Sequence, residues 1–104
     1  MNYYFVCPKT RKVSMKFPPI KDRNDLNEIA GRFEMLGKFN MWRDATLPHN
    51  VAFGFGDVDY ELDEEIENWI IENTTGMWGK DDSPFLKYYF EKSADAIAFK
   101  LRWY

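Results

Sequence analysis

The sequence predicts a single α+β domain over residues 1–104, with a roughly four-stranded, mainly antiparallel sheet packed against two or three helices. The length of 104 residues fits one domain. Hydrophobic residues make up 45% and aromatic residues 18% of the chain, which is enough for a core without disulfides or a structural metal. Short segments of strand character also alternate with segments of helical periodicity, which favours one sheet with helices on one face.

The first predicted element is a β-hairpin. Residues 3–7 are aromatic and β-branched, as is typical of a strand, and residues 8–12 have the composition of a turn. Residues 12–17 then alternate, so that Val13 and Met15 share an inward face while basic side chains share the outward face.

The first helix is predicted from an apolar stripe at helical spacing. Asp22, Asn24 and Asp25 offer N-cap oxygens, and Gly37 stands where a left-handed C-cap residue is expected. Residues 41–50 are then expected to form a loop. The stripe expected to face the core consists of Leu26, Ile29, Ala30, Phe33 and Leu36.

The middle of the chain predicts a strand, a second helix and another strand. Residues 51–56 alternate apolar and small side chains, and residues 85–91 are aromatic. Between them the second helix ends near residues 74–76, and residues 79–84 form a polar loop. The buried stripe of the second helix is expected to consist of Leu62, Ile66, Trp69 and Ile70.

Two interpretations of the last segment, residues 94–104, remain open. Ser93 as a cap and the alanine-rich start favour a helix, although residues 99–103 also alternate as a strand would. In the helical interpretation the segment docks on the sheet and closes the core, with Phe99 and Trp103 as an adjacent aromatic pair. The face expected to be buried consists of Ala94, Ile97, Ala98 and Leu101.

No constellation of residues predicts an enzyme, a cofactor or a metal site. Cys7 and His49 are the only residues of their types, which leaves few options for nucleophilic catalysis, and His49 lies in the predicted loop. Asp57, Asp59 and Glu61 stand at alternating positions, as hard-metal ligands do in an extended segment, but the glycine and the closing Glu of a calcium loop are missing. An acidic approach to the second helix is the simpler interpretation.

The distribution of charge is more informative. The net charge is +5 over residues 1–43, −9 over residues 44–79, where no Lys or Arg occurs, and +1 over residues 80–104. This pattern predicts an acidic surface that docks a basic partner, although a merely solvated helix face would give the same pattern. The proposed partner-binding residues are Asp57, Asp59, Glu61, Glu64, Glu65 and Glu67.

A single-stranded nucleic-acid binder is the alternative. Basic residues border the first hairpin, and aromatic side chains on the same sheet face would stack on bases. An isoelectric point near 5.1 and the lack of an RNP-type motif argue against it. The residues of this alternative site are Lys9, Arg11, Lys12, Lys16, Tyr4 and Tyr89.

The end of the sequence carries the only resemblance to known proteins. It resembles the endings of many short accessory proteins of T-even-type tailed phages, in the pattern D-A-x-x-F-K-L-R-W over about fifteen residues. The resemblance implies a small accessory protein that binds host machinery, so a host protein is the expected partner. Neither a signal peptide nor a membrane span is expected from the sequence, which favours the cytoplasm and no membrane contact. The sequence implies no particular oligomeric state. The matching residues are Phe90, Asp95, Ala96, Phe99, Lys100, Leu101, Arg102 and Trp103.

Overall fold

The computed structural model describes residues 4–16, 21–52, 60–81 and 86–103, and within them it confirms an α+β fold. Five strands and three helices occur in these residues. In chain order they are β1 (Tyr4–Val6), β2 (Val13–Met15), α1 (Leu26–Thr46), β3 (His49–Ala52), α2 (Tyr60–Asn73), β4 (Trp78–Asp81), β5 (Lys87–Phe90) and α3 (Ser93–Trp103).

The strands form two small antiparallel sheets, so the expectation of a single four-stranded sheet is wrong. Strands β1 and β2 pair as the predicted hairpin, and β5 lies between β3 and β4 in a three-stranded sheet. A single parallel bridge between Lys12 and Trp78 joins the two sheets, and the Trp78 amide donates a hydrogen bond to the Arg11 carbonyl (3.3 Å).

Strand β5 is buried on both faces, as its continuous aromatic sequence suggests for a central strand. Tyr88 and Phe90 point into one core, formed with α2 and α3, while Tyr89 points into a second core with the hairpin and the end of α1. Helices therefore cover both faces of the three-stranded sheet, and the expectation of helices on one face only is wrong. The first core contains Val51, Ile66, Ile70, Trp78, Tyr88, Phe90, Ala96 and Phe99.

Helix α1 begins where the sequence predicts but ends later. The Asp25 carboxylate accepts hydrogen bonds from the amides of Asn27 (2.9 Å) and Glu28 (3.4 Å), which confirms it as the N-cap. The helix continues through Gly37 to Thr46, so the predicted C-cap and most of the predicted loop over residues 41–50 are wrong. Phe39 and Trp42, beyond the glycine, pack on the second core, and this packing offsets the roughly 1 kcal/mol that a glycine costs inside a helix.

Two helices bury a different face from the predicted one. In α1, the stripe predicted to be buried is largely exposed, with Leu26 at 78% and Phe33 at 69% of their full accessibility. In α3, the helical interpretation is confirmed, but Leu101 is 82% exposed. The residues of α3 that are buried are Asp95, Ala96 and Phe99. Helix α2 buries Ile66 and Ile70 as predicted, while Leu62 and Trp69 are half-buried.

Strand β4 lies in a segment predicted as a polar loop, and a tightly held turn precedes it. In this turn the Asp95 carboxylate accepts the amide of Gly76 (2.9 Å), and the Glu91 carboxylate accepts the amide of Met77 (3.1 Å). A Cβ at Gly76 would lie 3.1 Å from both carboxylates, so glycine permits this close approach. The turn thereby fixes the end of α2 against the start of α3.

Candidate interaction surfaces

The acidic residues of α2 are divided between two sides of the helix. Ile66 and Ile70 are fully buried and set the inner face. Asp63 and Glu67 lie half-buried beside this face. The exposed acids of α2 are Glu61, Glu64, Glu65 and Glu72, and none of them forms an ion pair with the residues that the structure describes.

The exposed acids line a concave groove between α2 and α3, which we call the acidic groove. Its volume is about 420 Å³. The rings of Trp69 and Trp103 meet edge to face within it, with centroids 6.3 Å apart, and the Arg102 guanidinium lies 4.3 Å from the Trp103 ring. The groove therefore combines carboxylates with aromatic surface. Its lining residues are Glu61, Glu64, Glu65, Asn68, Trp69, Glu72, Arg102 and Trp103.

The structure supports the predicted acidic surface only in part. Glu61, Glu64 and Glu65 lie together in the acidic groove, whereas Asp57 and Asp59 fall outside the described residues. Glu67 is directed away from the groove, because its carboxylate binds Lys12 (2.5 Å) and Lys80 (3.3 Å).

Sequence reasoning missed the aromatic part of the groove. Trp69 and Trp103 were expected to be buried in the core, yet both are only half-buried and their remaining surface faces the groove. The sequence does contain a signal for this surface: Trp69 lies among the acids of α2, and Trp103 lies at the end of α3. It would have required knowing that α2 and α3 lie side by side.

The inner acids of α2 belong to a polar cluster that we call the inner network, formed by Lys12, Lys80, Asp63, Glu67 and Tyr88. Lys80 binds Asp63 and Glu67, and the Tyr88 hydroxyl donates to the second Asp63 oxygen (2.9 Å). Desolvation alone would lower the pKa of Lys80, but the hydrogen bond to Asp63 and the two carboxylate charges outweigh it and raise the pKa. Burial, followed by the hydrogen bond to Asp63, raises the pKa of Tyr88 strongly.

The basic hairpin does not form the continuous surface that nucleic-acid binding requires. Lys9 and Lys16 are exposed, but Lys12 is held by Glu67. Tyr4 stacks on Trp42 with ring centroids 3.9 Å apart. Tyr89 is only 6% exposed and lies on the other sheet, under the guanidinium of Arg43 (4.1 Å). The predicted common face of Tyr4 and Tyr89 is therefore wrong.

Arg11 has a structural role at the end of α2. Its guanidinium donates to the carbonyl oxygens of Ile71 (2.8 Å) and Gly76 (2.6 Å) and to the Thr74 hydroxyl (3.2 Å). The last carbonyls of a helix lack partners within it, so Arg11 satisfies groups that would otherwise need water. The residue adopts φ = 66°, a left-handed conformation that costs about 1 kcal/mol or more for a non-glycine residue. This contact could not be predicted from local sequence patterns because Arg11 and Ile71 are 60 residues apart.

A second concavity, of about 580 Å³, lies between α1, the hairpin and β4. Three cations line it, and each already has a carboxylate partner: Lys12 binds Glu67, Lys80 binds Asp63, and Arg43 binds Asp81 (3.3 Å). Because these charges are compensated, the concavity offers little attraction for a phosphate group.

No catalytic or metal-binding constellation stands out in the described part of the chain. His49 lies on β3 rather than in the loop where it was expected, and it is half-buried. No three His, Cys, Asp or Glu side chains among the described residues converge so as to hold a metal ion. A hydrogen bond from Thr10 lowers the pKa of Cys7, which lies at the hairpin turn.

In comparisons with known proteins, no family model, curated protein or solved structure matches the chain. Within the described residues, no helix has the length and apolar character that crossing a bilayer requires.

Proposed function

We propose that the protein is a non-catalytic interaction module that binds a basic surface of a partner protein through the acidic groove. The observation that carries the proposal is the pairing of four exposed glutamates with two half-buried tryptophans in one concavity. The glutamates would bind Lys or Arg side chains of the partner, and the exposed part of the Trp69 ring would contact the same cations by cation–π interaction, since the protein's own Arg102 already lies over the Trp103 ring.

The division of charge on α2 supports this proposal. Lys12 and Lys80 compensate the inner acids, whereas the outer acids form no ion pair with any described base, although Arg102 lines the same groove. Like charges this close repel by a few tenths of a kcal/mol for each neighbouring pair, so a purely structural helix gains little from them beyond the favourable position of Glu61 in its first turn. A patch of one sign instead steers an oppositely charged partner and accelerates its association.

The resemblance of residues 90–103 to phage accessory proteins suggests where the partner is found. Under this proposal the protein acts in the cytoplasm of an infected bacterium and modulates a host protein. Arg102, which belongs to the resembling segment, lines the acidic groove together with Trp103. The segment would therefore contribute to binding as well as to the core.

The test compares two variants with the same change in net charge. Partners are captured from nuclease-treated bacterial lysate and identified, and association rates are measured with the purified partner. Glu64→Gln with Glu65→Gln removes two groove charges, and Glu34→Gln with Asp44→Asn removes two exposed charges of α1. We expect the groove variant to associate severalfold more slowly at low ionic strength, while the control stays near the wild-type rate.

Two outcomes would contradict the proposal. Equal slowing in both variants would mean that net charge alone matters and that the groove is not the binding surface. Capture that disappears on nuclease treatment would instead favour nucleic acid as the partner.

A further inference from the structure

Helix α1 carries an apolar stripe that none of the described elements covers. Leu26, Phe33 and Met41 are 78%, 69% and 74% exposed. Ala30 and Gly37 lie between them and are exposed as well, and a Cβ placed on Gly37 would meet nothing within 4 Å. At 100° per residue, these five residues fall within an arc of about 80° along one side of the helix.

The body of the protein lies on the opposite side of α1. Phe39 and Trp42, through which α1 contributes to the second core, lie roughly 140–160° around the helix from the centre of the stripe. Both residues belong to the C-terminal half of α1, and no described residue of its N-terminal half belongs to either core cluster. The radius of gyration is 15.1 Å, against about 13 Å for a compact domain of this length. The stripe is therefore open to a second molecule along its length.

The order of residues in the stripe suits a second copy of the same helix running antiparallel. Large and small side chains alternate along it, from Leu26 and Ala30 to Phe33 and Gly37. A two-fold axis near Phe33 places Leu26 opposite Met41 and Ala30 opposite Gly37. Small residues facing each other let two helices approach closely, and the large ones then fill the space on either side.

Charge also favours a second copy. Helix α1 contains three acidic and three basic residues, so two copies of it do not repel. Helix α2, by contrast, contains six acids and no base, and two copies of that helix would repel. A membrane surface is a poorer partner for α1, because interfacial helices carry an excess of Lys and Arg on their polar face.

The exposed apolar area is sufficient for a dimer. A large side chain presents roughly 200 Å² when fully exposed, so Leu26, Phe33 and Met41 together offer about 440 Å² in each chain. Two chains offer about 900 Å² from these residues, and the half-buried flanking residues Ile29 and Leu36 bring the total near the ~1,000 Å² that a specific interface needs.

We propose that the protein forms a two-fold symmetric homodimer through antiparallel pairing of the exposed α1 stripes. The proposal is independent of the acidic groove, which lies on other helices. In sedimentation equilibrium at about 100 µM, where a micromolar Kd gives mostly dimer, we expect twice the mass of one chain. Phe33→Glu places two carboxylates near the axis and should give a monomer with an unchanged circular dichroism spectrum. Leu101→Glu, at an equally exposed apolar site on α3, is the matched control and should remain dimeric.

Cysteine cross-linking tests the direction of pairing on a Cys7→Ser background. An equal mixture of Ala30→Cys and Gly37→Cys chains should form mixed disulfides faster than either chain alone. Faster cross-linking of Ala30→Cys with itself would overturn the antiparallel arrangement. A wild-type protein that stays monomeric at about 100 µM would overturn the proposal. If that monomer bound vesicles of phosphatidylcholine and phosphatidylglycerol, the stripe would be a membrane-binding surface and the dimer would be ruled out. Dissociation by Leu101→Glu but not by Phe33→Glu would overturn it too.

Discussion

Tyr88, Lys80 and Asp63 link the core to the charged surface of α2. One Asp63 oxygen accepts the Tyr88 hydroxyl and the other accepts the Lys80 ammonium group. A buried hydroxyl without a partner would cost about 1–3 kcal/mol, and this contact avoids that penalty. The inner network therefore lets α2 pack against β4 and β5 while Asp63 and Glu67 are paired with lysine side chains.

The raised pKa values in this network predict a loss of stability in alkali. For both Tyr88 and Lys80 the folded state holds the proton more tightly than the unfolded state does. Their contribution is thus fully present below the usual pKa values of 10.0 and 10.5, and it is lost as the pH rises through the higher folded values. We expect the unfolding free energy to fall as the pH rises above about 10, and loss of the Tyr88 proton from the unfolded state sets a limiting slope of about 1.4 kcal/mol per pH unit.

Tyr88→Phe isolates one of these protons. Its unfolding free energy is measured by urea denaturation, followed by circular dichroism, at several pH values. Above about pH 10 this free energy should fall less steeply with pH in the variant than in the wild type, and the difference should correspond to about one proton. An identical slope in the wild type and in Tyr88→Phe would contradict the assignment to Tyr88.

At the residue scale, sequence reasoning succeeded where an interaction is local. Asp25 was among the predicted capping residues, and its partners are two and three residues away. The partners of Glu67 and Arg11 could not be predicted, since Lys12 is 55 residues from Glu67 and Ile71 is 60 residues from Arg11. A pattern of residue types does not contain such long-range pairings.

At the element scale, the existence of the helices was predictable but the buried faces of α1 and α3 were not. Periodicity identifies an apolar stripe without indicating what covers it. In α3 the core contacts come from Phe99, which packs against Tyr88 and Phe90 with ring centroids 5.1 and 5.3 Å apart. The aliphatic residues Ile97 and Leu101 lie outside, because the aromatic strand β5 accommodates Phe99 instead.

Because Phe99 is buried and Leu101 is exposed, substitutions at these two positions of α3 should differ strongly in their effect on stability. Phe99→Ala empties a fully buried site and should lower the unfolding free energy by about 3–5 kcal/mol. Leu101→Ala removes an exposed side chain and should change it by less than about 0.5 kcal/mol. Urea denaturation of both variants measures the difference. A loss of less than about 1 kcal/mol for Phe99→Ala would show that α3 does not close the core.

Strand β4 escaped prediction for a related reason. Its sequence, Trp78–Asp81, contains a glycine, a lysine and an aspartate, which is typical of a loop. Lys80 and Asp81 are acceptable in this strand because Asp63 and Arg43 neutralise them. Gly79 also allows the hairpin to approach, since a Cβ there would lie 3.4 Å from the Val13 carbonyl oxygen.

At the scale of the whole molecule, the fold turns a simple charge pattern along the chain into two different surfaces. The acidic middle segment meets bases from both flanking segments, because Lys12 and Lys80 reach the inner side of α2. The sequence identifies the acidic segment, but only the fold shows which of its acids form no ion pair with the described residues. These acids gather in the acidic groove, away from the exposed stripe of α1.

Substitution of Glu72 should affect stability and partner binding in opposite directions. It lies in the last turn of α2, where no basic residue occurs and where the helix dipole disfavours a negative charge. Glu72→Gln should therefore raise the unfolding free energy by about 0.3–1 kcal/mol, measured by urea denaturation at low ionic strength. Because Glu72 also lines the acidic groove, the same variant should associate more slowly with the captured partner. Glu34→Gln, on the surface of α1, is the control and should leave the association rate unchanged. A stabilised Glu72→Gln variant that associates at the wild-type rate would mean that this charge does not serve binding.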